Sequence, residues 1–403
     1  MKTLLQINIE VNYGSTGRIA ENIGAMAIEQ GWESYIAYGR NHRPSASKLI
    51  PIGGKWEQYL HVLQTRLLDR HGLGSKRATK TLIAQLERLS PDLIHLHNIH
   101  GYYIHIPLLF TYLAEKNIPV IWTLHDCWAL TGHCTHFEYV GCQKWQGECS
   151  DCPQLRAYPS SLLADRSTKN HRAKKALIPA LKNLTLVPVS QWLEDRVKES
   201  FLAHCPSQVI PNGVDTKVFA PAPDPGLRER FGLQDKFLVL GVASVWSKNK
   251  GMRDFLNLAR IVGPDTAIVL IGLNEDQLKE LPKNMIGIKR TDSVAELAQW
   301  YSTADVYLNT SVEESFGLTN AEALSCGTPI IVYNATALPE MVTPQTGAVV
   351  EKHDIRAIKE ALATIQEKGK PFYAEACSAR ANNLYDKQKN YRSYLQLYDS
   401  LKK

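Results

Sequence analysis

Short apolar runs alternate with longer amphipathic patterns along the chain, and this alternation limits its possible folds more than any other feature. The runs are rich in β-branched residues and are continuous rather than alternating in polarity, which is typical of strands buried on both faces. They lie at 4–9, 34–38, 93–96, 120–124, 184–189, 237–242, 267–271, 305–308 and 329–332. Strands separated by helices form parallel sheets, so we predict an α/β protein with doubly wound sheets.

The length and the proline distribution indicate two domains. At about 100–200 residues per domain, a chain of 403 residues has room for two, and prolines concentrate at 203–225 as in a linker. We predict a first domain over 1–206, a second over 207–385, and an amphipathic terminal helix within 386–403. Because ligands bind at the carboxyl ends of parallel strands, two facing sheets would hold a ligand in the cleft between them.

Composition narrows the class of protein. A hydrophobic fraction of 44% excludes disorder. The net charge of +6 is too modest to indicate a nucleic-acid partner, but it suits anionic small molecules or an acidic membrane face. No apolar run approaches the roughly 18–20 residues of a membrane span. The first ten residues turn polar too soon for a signal peptide, so we expect a cytoplasmic protein.

A glycine-rich loop follows the first predicted strand. It comprises Gly14, Ser15, Thr16 and Gly17 and precedes a helical pattern at 19–30. Two glycines allow close backbone approach, and a helix start offers N–H groups to a phosphate. The alternative is a tight turn in which Thr16 caps the helix.

Four histidines stand at or beyond the ends of two predicted strands. They are His95, His97, His100 and His125. Lone histidines are usually structural, so we expect one or two of them to contact a ligand. His125 is the best candidate, since the chain turns polar directly after it.

The segment after the predicted strand at 305–308 gives the strongest indication of a ligand-binding site in the sequence. Phe316, Gly317 and Leu318 would open a helix, with Glu314 in the preceding loop and Glu322 one turn into the helix. Two carboxylates beside an anion-binding helix start suit the vicinal hydroxyls of a ribose or a sugar, next to a phosphate held by backbone amides.

Glu314 and Glu322 lie within Glu-x-Phe-Gly and Glu-Ala-x-x-x-Gly-x-Pro, which resemble the signature of the family 4 retaining glycosyltransferases. Similar segments include 14–17, 123–126, 210–215, 250–251 and 303–306. The resemblance implies the GT-B fold, in which two facing Rossmann-like domains flank the active site and the terminal helix crosses back to the first domain.

The resemblance also implies roles for individual residues. Glu322 would bind the ribose, Glu314 a donor-sugar hydroxyl and Lys250 the diphosphate. His125 would lie near the reacting carbon, which makes His125, Glu314 and Lys250 the candidate catalytic residues. The remaining donor contacts would be the loop at 14–17 and the amides of Phe316, Gly317 and Leu318. Arg290, Thr291 and Asp292, after a strand-like stretch at 286–288, would frame the base.

One position departs from the family pattern. Family members usually carry an Arg five residues before the residue matching Lys250, whereas this chain has Val245 or Ser244 there. Either Lys248 supplies the second positive charge or the diphosphate is held differently.

The expected reaction transfers a hexose from a UDP- or GDP-sugar to a saccharide or lipid-linked saccharide acceptor, without a catalytic metal. The resemblance points to colanic acid, other exopolysaccharide or capsule pathways. Two alternatives are a non-catalytic nucleotide-sugar-binding protein and a dinucleotide-dependent oxidoreductase. The second is disfavoured because the loop at 14–17 lacks the third glycine of the dinucleotide fingerprint.

Four cysteines crowd into a polar segment. Cys134, Cys142, Cys149 and Cys152 give C-x7-C-x6-C-x2-C, and four thiolates around a structural zinc would staple a long loop in a reducing compartment. The alternative is four unliganded thiols. Cys127, His133 and His136 would be replacement ligands if only part of the set binds.

Two basic runs occupy the first predicted domain, at 75–80 and 169–175. Such runs are usually solvated helix faces. The alternative is docking on anionic lipid at the inner face of the membrane, since an amphipathic stretch with Trp56, Leu60, Leu63 and Leu67 on one face precedes the first run.

Overall fold

The computed structural model describes residues 2–401, which divide into two compact units. The first unit contains the chain up to Ile210 together with the segment from Tyr391 onward. The second unit is Pro211–Asn390. These boundaries lie a few residues after the predicted ones.

The first unit is built on a parallel sheet of six strands. The strands are β1 (Lys2–Asn8), β2 (Trp32–Tyr38), β3 (Lys48–Pro51), β4 (Leu93–Leu96), β5 (Val120–Leu124) and β6 (Leu184–Pro188). The helices are α1 (Gly14–Glu29), α2 (Lys55–Leu68), α3 (Lys76–Leu89), α4 (Ile106–Lys116), α5 (Ser167–Leu177) and α6 (Gln191–Lys198). The spatial order of the strands is β3-β2-β1-β4-β5-β6.

The second unit repeats this plan. Its strands are β7 (Phe237–Val242), β8 (Thr266–Ile271), β9 (Met285–Ile288), β10 (Val306–Asn309), β11 (Ile330–Tyr333) and β12 (Gly347–Val350). Its helices are α7 (Pro225–Arg230), α8 (Met252–Ala259), α9 (Glu275–Lys279), α10 (Val294–Thr303), α11 (Leu318–Ser325), α12 (Ile355–Lys368) and α13 (Lys370–Leu384). The order is β12-β11-β10-β7-β8-β9, again with every pair parallel.

Both sheets reverse direction of winding at one point, between β1 and β4 in the first unit and between β7 and β10 in the second. At such a reversal the loops leave the two central strands toward opposite faces and open a crevice at their carboxyl ends. The loops after these strands are therefore where a ligand is expected in each unit.

The helix α14 (Lys387–Ser400) completes the core of the first unit. Its buried side chains pack in one cluster with residues of β1, β5 and β6; they are Tyr391, Tyr394, Leu395, Leu397 and Tyr398. Two tyrosine hydroxyls also bond to sheet residues, Tyr398 to His95 Nδ1 at 2.6 Å and Tyr394 to Thr123 Oγ1 at 3.0 Å.

The predicted α/β class with doubly wound parallel sheets is confirmed, and each of the predicted strands lies within two residues of an observed one. Strand β9 matches the strand-like stretch at 286–288, and β3 and β12 are the strands that the sequence did not indicate. Both are short, lie at a sheet end and are only partly buried, so they lack a continuous apolar run. Over residues 2–401 we find no helix with the length and apolar character that crossing a membrane requires.

Candidate functional site

Lys250 and Glu314 meet at the carboxyl ends of the central strands of the second unit. Lys250 ends a single 3-10 turn after β7, and Glu314 lies in the loop after β10. Their side chains form an ion pair between Lys250 Nζ and Glu314 Oε1. The two loops are also joined through the backbone, because Val312 N–H donates to Asn249 O at 2.9 Å.

Gly251 allows these two loops to approach each other closely. The Thr310 hydroxyl donates to the carbonyl oxygens of Lys250 at 3.0 Å and Gly251 at 3.1 Å. Gly251 has a φ of +71°, and a Cβ on it would lie 2.3 Å from Thr310 O. Any side chain here would displace the backbone that carries Lys250.

The second carboxylate is positioned by a buried tyrosine. Tyr301 OH donates to Glu322 Oε2 at 3.0 Å. Burial and then the charge of Glu322 raise the pKa of Tyr301 well above its ordinary value, so the hydroxyl keeps its proton and remains a donor.

Glu314 is held through its backbone. Thr336 accepts from Glu314 N–H at 2.9 Å, and its hydroxyl donates to Glu314 O at 2.8 Å. Helix α11 begins directly after Gly317, whose φ is +90°, and Phe316 is buried against the Tyr385 ring at 5.5 Å. The helix thus begins two residues after the predicted opening at Phe316, and the N–H groups of its first turn follow Glu314 in the chain.

The other predicted donor contacts of the second unit are more exposed. Lys248 lines an open cavity of about 790 Å³ together with Arg253. Arg290, Thr291 and Asp292 follow β9, and Asp292 N–H donates to Glu296 Oε2 at 2.6 Å. Since β9 lies three strand positions from β10, this segment stands about 14 Å along the sheet edge from the loop with Glu314.

In the first unit, the glycine-rich loop opens α1, and the prediction that Thr16 caps this helix is wrong. The N-cap is Tyr13, which makes no side-chain cap bond, and Thr16 lies inside the first turn. A Cβ on Gly17 would lie 3.1 Å from Glu10 O, so Gly17 permits close packing within the chain itself. A Cβ on Gly14 would lie 3.2 Å from Glu10 Oε2, and the Glu10 carboxylate is itself paired with Arg40, whose Nε lies 3.6 Å from Oε1.

A chain of side-chain hydrogen bonds sets the tautomer of His125. Gln6 Nε2 donates to Ala20 O at 2.8 Å, so Gln6 Oε1 is the acceptor of the 3.0 Å bond from His97 Nε2–H. His97 Nδ1 then accepts from His125 Nε2–H at 3.2 Å. Burial lowers the pKa of His97 well below its ordinary value and that of His125 to about 4. At neutral pH, His125 therefore carries its proton on Nε2 and presents Nδ1 as an acceptor.

Asp126 and His100 form a neighbouring pair, with Oδ2 and Nε2 2.8 Å apart. Burial by itself would raise the pKa of Asp126, but the charge of His100 and its hydrogen bond outweigh burial and lower this pKa to about 2. Among the four histidines of the prediction, His95 lies in β4 and His97 directly after it; both are buried and bond to Thr123 and Gln6, respectively.

The residues that position His97 in the first unit, and Lys250, Glu314 and Glu322 in the second, were not predicted from the sequence. These are Gln6, Tyr301, Thr310 and Thr336, which contact His97, Glu322, Lys250 and Glu314. Gln6 is one of two polar residues in the apolar run 4–9, the other being Asn8, and this is the signal that could have indicated it.

The four predicted zinc ligands line the same small cavity. They are Cys134, Cys142, Cys149 and Cys152.

One of the two basic runs is partly buried. In the run 169–175, the interpretation as a solvated face is wrong for Lys174, because its Nζ is buried and donates to Trp128 O at 2.5 Å and Thr131 O at 2.9 Å. Lys76, Arg77 and Lys80 of the other run are exposed.

Comparison with known proteins identifies the relatives of this chain. A protein of Escherichia coli K12 named as a colanic acid biosynthesis glycosyl transferase, WcaC, is 23% identical over 99% of this chain and its own full length. A GDP-mannose-dependent mannosyltransferase of Corynebacterium glutamicum is 26% identical over 49% of this chain and 58% of its own.

Solved structures share the fold. Sucrose-phosphate synthase from Thermosynechococcus elongatus superposes with a TM-score of 0.72 at 16% identity, covering 100% of this chain and 99% of its own. Anabaena HepE, solved in complex with UDP, also gives 0.72 at 16% identity, covering 99% of this chain and 100% of its own. Together with the two six-stranded sheets, these neighbours show the GT-B fold.

Two family profiles match the chain in succession. "Glycosyltransferase Family 4" covers residues 16–218, which is more than half of the chain, and "Glycosyl transferases group 1" covers 236–368. The chain therefore belongs to glycosyltransferase family 4 and is a glycosyltransferase.

Proposed function

We propose that this glycosyltransferase transfers a hexose, with retention of anomeric configuration, from a nucleotide diphosphate sugar to a saccharide or lipid-linked saccharide of a cell-surface polysaccharide. The observation that carries the proposal is the ion pair of Lys250 and Glu314 beside the start of α11. It combines a cation and backbone N–H groups for a diphosphate with a carboxylate for sugar hydroxyls. The UDP complex of HepE and the name of the E. coli relative support the donor class and the pathway.

The donor lies, in this proposal, across the carboxyl ends of the second sheet. Lys250 and the amides of Phe316, Gly317 and Leu318 hold the diphosphate, with Lys248 as a second cation. Glu322 accepts hydrogen bonds from the ribose hydroxyls, and its bond from Tyr301 holds the carboxylate in place. Arg290, Thr291 and Asp292 frame the base, since the distance of about three strand spacings along the sheet edge suits an extended nucleotide.

Lys250 and Glu314 exchange partners when the donor binds. In the free protein each neutralises the other. The diphosphate supplies a new anion for Lys250, and Glu314 turns its oxygens to a hydroxyl of the transferred sugar. In the first unit, His125 offers Nδ1 as a hydrogen-bond acceptor suited to a sugar hydroxyl, because its Nε2 proton is committed to His97.

The chemical step is a front-face substitution. The bond between the anomeric carbon and the phosphate oxygen breaks, and the acceptor oxygen bonds to that carbon on the same face. The acceptor proton moves to the leaving phosphate oxygen, so the step balances without a protein base. Lys250 and the α11 amides stabilise the charge that develops on the diphosphate, as fixed donors do in an electrostatically preorganised site.

Two substitutions test the donor site. Glu314→Ala should abolish transfer and leave the cooperative unfolding transition intact, whereas Glu280→Ala, at an exposed carboxylate in the same unit, should keep wild-type activity. Glu322→Ala should weaken nucleotide binding. Full transfer activity in Glu314→Ala would refute the assignment.

Thermal shifts with UDP, GDP, ADP and NAD identify the base, since only ligands of the native state stabilise it. We expect stabilisation by one or more of the nucleoside diphosphates. Stabilisation by none of the nucleoside diphosphates would refute the proposed donor class.

An exposed apolar face of the first unit supports a membrane partner. On α2 the exposed fractions are 82% for Trp56, 66% for Tyr59, 57% for Leu60 and 53% for Leu63. The exposed Leu163 follows Leu162, whose N–H donates to Arg66 O at 2.7 Å, so the loop extends this face. Contiguous exposed apolar residues of this kind mark interaction surfaces.

The charges beside this face favour an anionic bilayer as its occupant. Exposed Lys55 and Arg66 lie on α2 itself, and exposed Lys76, Arg77 and Lys80 lie on α3. Aromatic and aliphatic residues flanked by basic side chains are typical of helices that lie in the membrane interface. We propose that α2 docks on anionic lipid at the cytoplasmic face, where a lipid-linked acceptor is met.

Co-sedimentation with vesicles of phosphatidylglycerol and phosphatidylcholine tests the docking. Wild type should bind at low salt, and Leu60→Gln with Leu63→Gln should lose most of the binding. Phe372→Gln, at another exposed apolar residue, is the matched control and should bind normally. Failure of wild type to sediment with anionic vesicles at low salt would rule the docking out.

A further inference from the structure

The segment between β5 and α5 is long and has little regular structure of its own. Between Leu124 and Ser167 the structure forms two single 3-10 turns, Glu138–Val140 and Lys144–Gln146, and neither strand nor α-helix. Yet Phe137 and Trp145 are buried within it, with ring centroids 4.8 Å apart. A loop of this length without a core of its own needs some other source of order.

The four cysteines of this segment line one cavity. The cavity has a volume of about 20 Å³, room for roughly one or two water-sized spheres, and its walls include Cys134, Cys142, Cys149 and Cys152. All four are free thiols. Cys134 and Cys152 are close enough to hydrogen-bond to each other. Disulfide bonds therefore do not account for the convergence.

A buried histidine on the same cavity wall has an unsatisfied nitrogen. The His133 side chain is fully buried, and its Nδ1 lies 2.7 Å from Asp69 Oδ1. Its Nε2 is buried and has no hydrogen-bond partner among the described residues. A buried polar atom without a hydrogen-bond partner destabilises the folded chain and calls for an explanation. A histidine held at one nitrogen by a carboxylate is the arrangement by which proteins orient a metal-binding imidazole.

The backbone around the cavity is arranged to donate to sulfur. Gly132 N–H donates to Cys149 Sγ at 3.2 Å, and Gln154 N–H donates to Cys152. A Cβ on Gly132 would lie 2.1 Å from Ser167 O, so only glycine brings this N–H to the sulfur. N–H donors stabilise the negative charge that a thiolate ligand carries.

We propose that this cavity binds one structural Zn²⁺ through His133 Nε2 and three of the four cysteine thiolates. Zinc takes four tetrahedral ligands and favours sulfur and imidazole nitrogen, which is the donor set present. Within residues 2–401 no three His, Cys, Asp or Glu side chains already stand at metal-binding separations. Binding therefore closes the site by side-chain rotation, and three thiols lose their protons to solvent as the metal enters.

The ion would order the polypeptide directly after His125. Asp126, at the start of the segment, pairs with His100, and Asp69 connects the cavity wall to the end of α2. Zinc would thus fix the segment to the body of the first unit. This role is independent of the donor and acceptor proposed above.

Metal analysis of protein purified under reducing conditions tests the site. We expect about one zinc per chain, released by a mercurial that titrates thiols, and faster proteolytic cleavage between residues 126 and 166 after release. His133→Gln should lower zinc affinity at least 10-fold. Cys205→Ser, at a thiol outside the cavity, should bind zinc like wild type.

Single Cys→Ser variants at the four positions complete the test. Three should lose zinc and one should retain it, which identifies the thiol that is not a ligand. If any variant fails to fold, the zinc content and mercurial release of the wild type still decide. Reduced wild-type protein that takes up no zinc from added Zn²⁺ would overturn the proposal, and unchanged affinity in His133→Gln would overturn the nitrogen ligand.

Discussion

Gly251→Ala isolates the contribution of loop packing to the donor site. The methyl group would lie 2.3 Å from Thr310 O and 2.5 Å from Thr310 Oγ1. An ordinary contact to these atoms is longer by about 1 Å, so the loop after β7 must move by that amount. The residue that moves with it is Lys250, whose carbonyl is bonded to the Thr310 hydroxyl.

The expected magnitude has two parts. An Ala at a φ of +71° costs about 1–2 kcal/mol, less about 0.4–1 kcal/mol from the reduced freedom of the unfolded chain. The steric overlap adds about 1–3 kcal/mol, so the free energy of unfolding should fall by about 1–5 kcal/mol. Because a displacement of about 1 Å in a site can cost roughly 100-fold in rate, transfer should fall to about that extent.

Gly232→Ala is the matched control. Gly232 has a φ of +64° in the same unit, and a Cβ on it meets no atom within 4 Å. It should therefore show the backbone strain without the overlap, a loss of about 0–1.6 kcal/mol, with normal transfer. The measurements are urea denaturation and nucleotide affinity by calorimetry. If the two variants lose equal stability and bind nucleotide equally well, the loop does not depend on the close approach at Gly251.

Three further predictions concern the first unit. Because burial lowers the pKa of His97 and His125, both bind protons in the unfolded chain before the folded one, so the free energy of unfolding should rise from pH 4 to about 6.5 and then level off. A flat profile in urea denaturation would contradict this. Gln6→Leu leaves His97 Nε2–H without its acceptor, which should cost about 1–3 kcal/mol and most of the transfer activity; wild-type transfer would show that Gln6 does not set the tautomer. Lys174→Met leaves two carbonyl oxygens unsatisfied and should cost about 2–5 kcal/mol in denaturation, whereas exposed Lys175→Met should change stability by less than about 0.5 kcal/mol.

The fold was predictable because its central strands are buried on both faces. A strand such as β5 is apolar at nearly every position and stands out without any knowledge of its neighbours. The end strands β3 and β12 do not stand out in this way, since their partly exposed positions do not form a continuous apolar run. Their placement depends on pairing with strands already in the sheet.

Some residues of the candidate site could likewise be predicted from the sequence, and others could not. Glu314 and Glu322 were recognisable because they lie in one contiguous segment. Tyr301 and Thr336, which position them, are separated from them by 21 and 22 residues, and nothing local marks them. Lys174 shows the converse, since the sequence places it in a basic run and the fold buries it against Trp128. Only the tertiary structure distinguishes a solvated lysine from one that donates to two buried carbonyls.

The tyrosines of α14 set an order on the maturation of the chain during synthesis. Tyr394 and Tyr398 supply the partners of Thr123 and His95, two buried polar side chains of the first sheet. The ribosome makes the whole second unit, Pro211–Asn390, before it makes these tyrosines. Domains generally fold as they emerge from the ribosome. The second unit can therefore complete its folding before the first unit does, although most of the first unit is translated earlier. The first unit must wait for α14, because until then His95 Nδ1 lacks its partner, the Tyr398 hydroxyl.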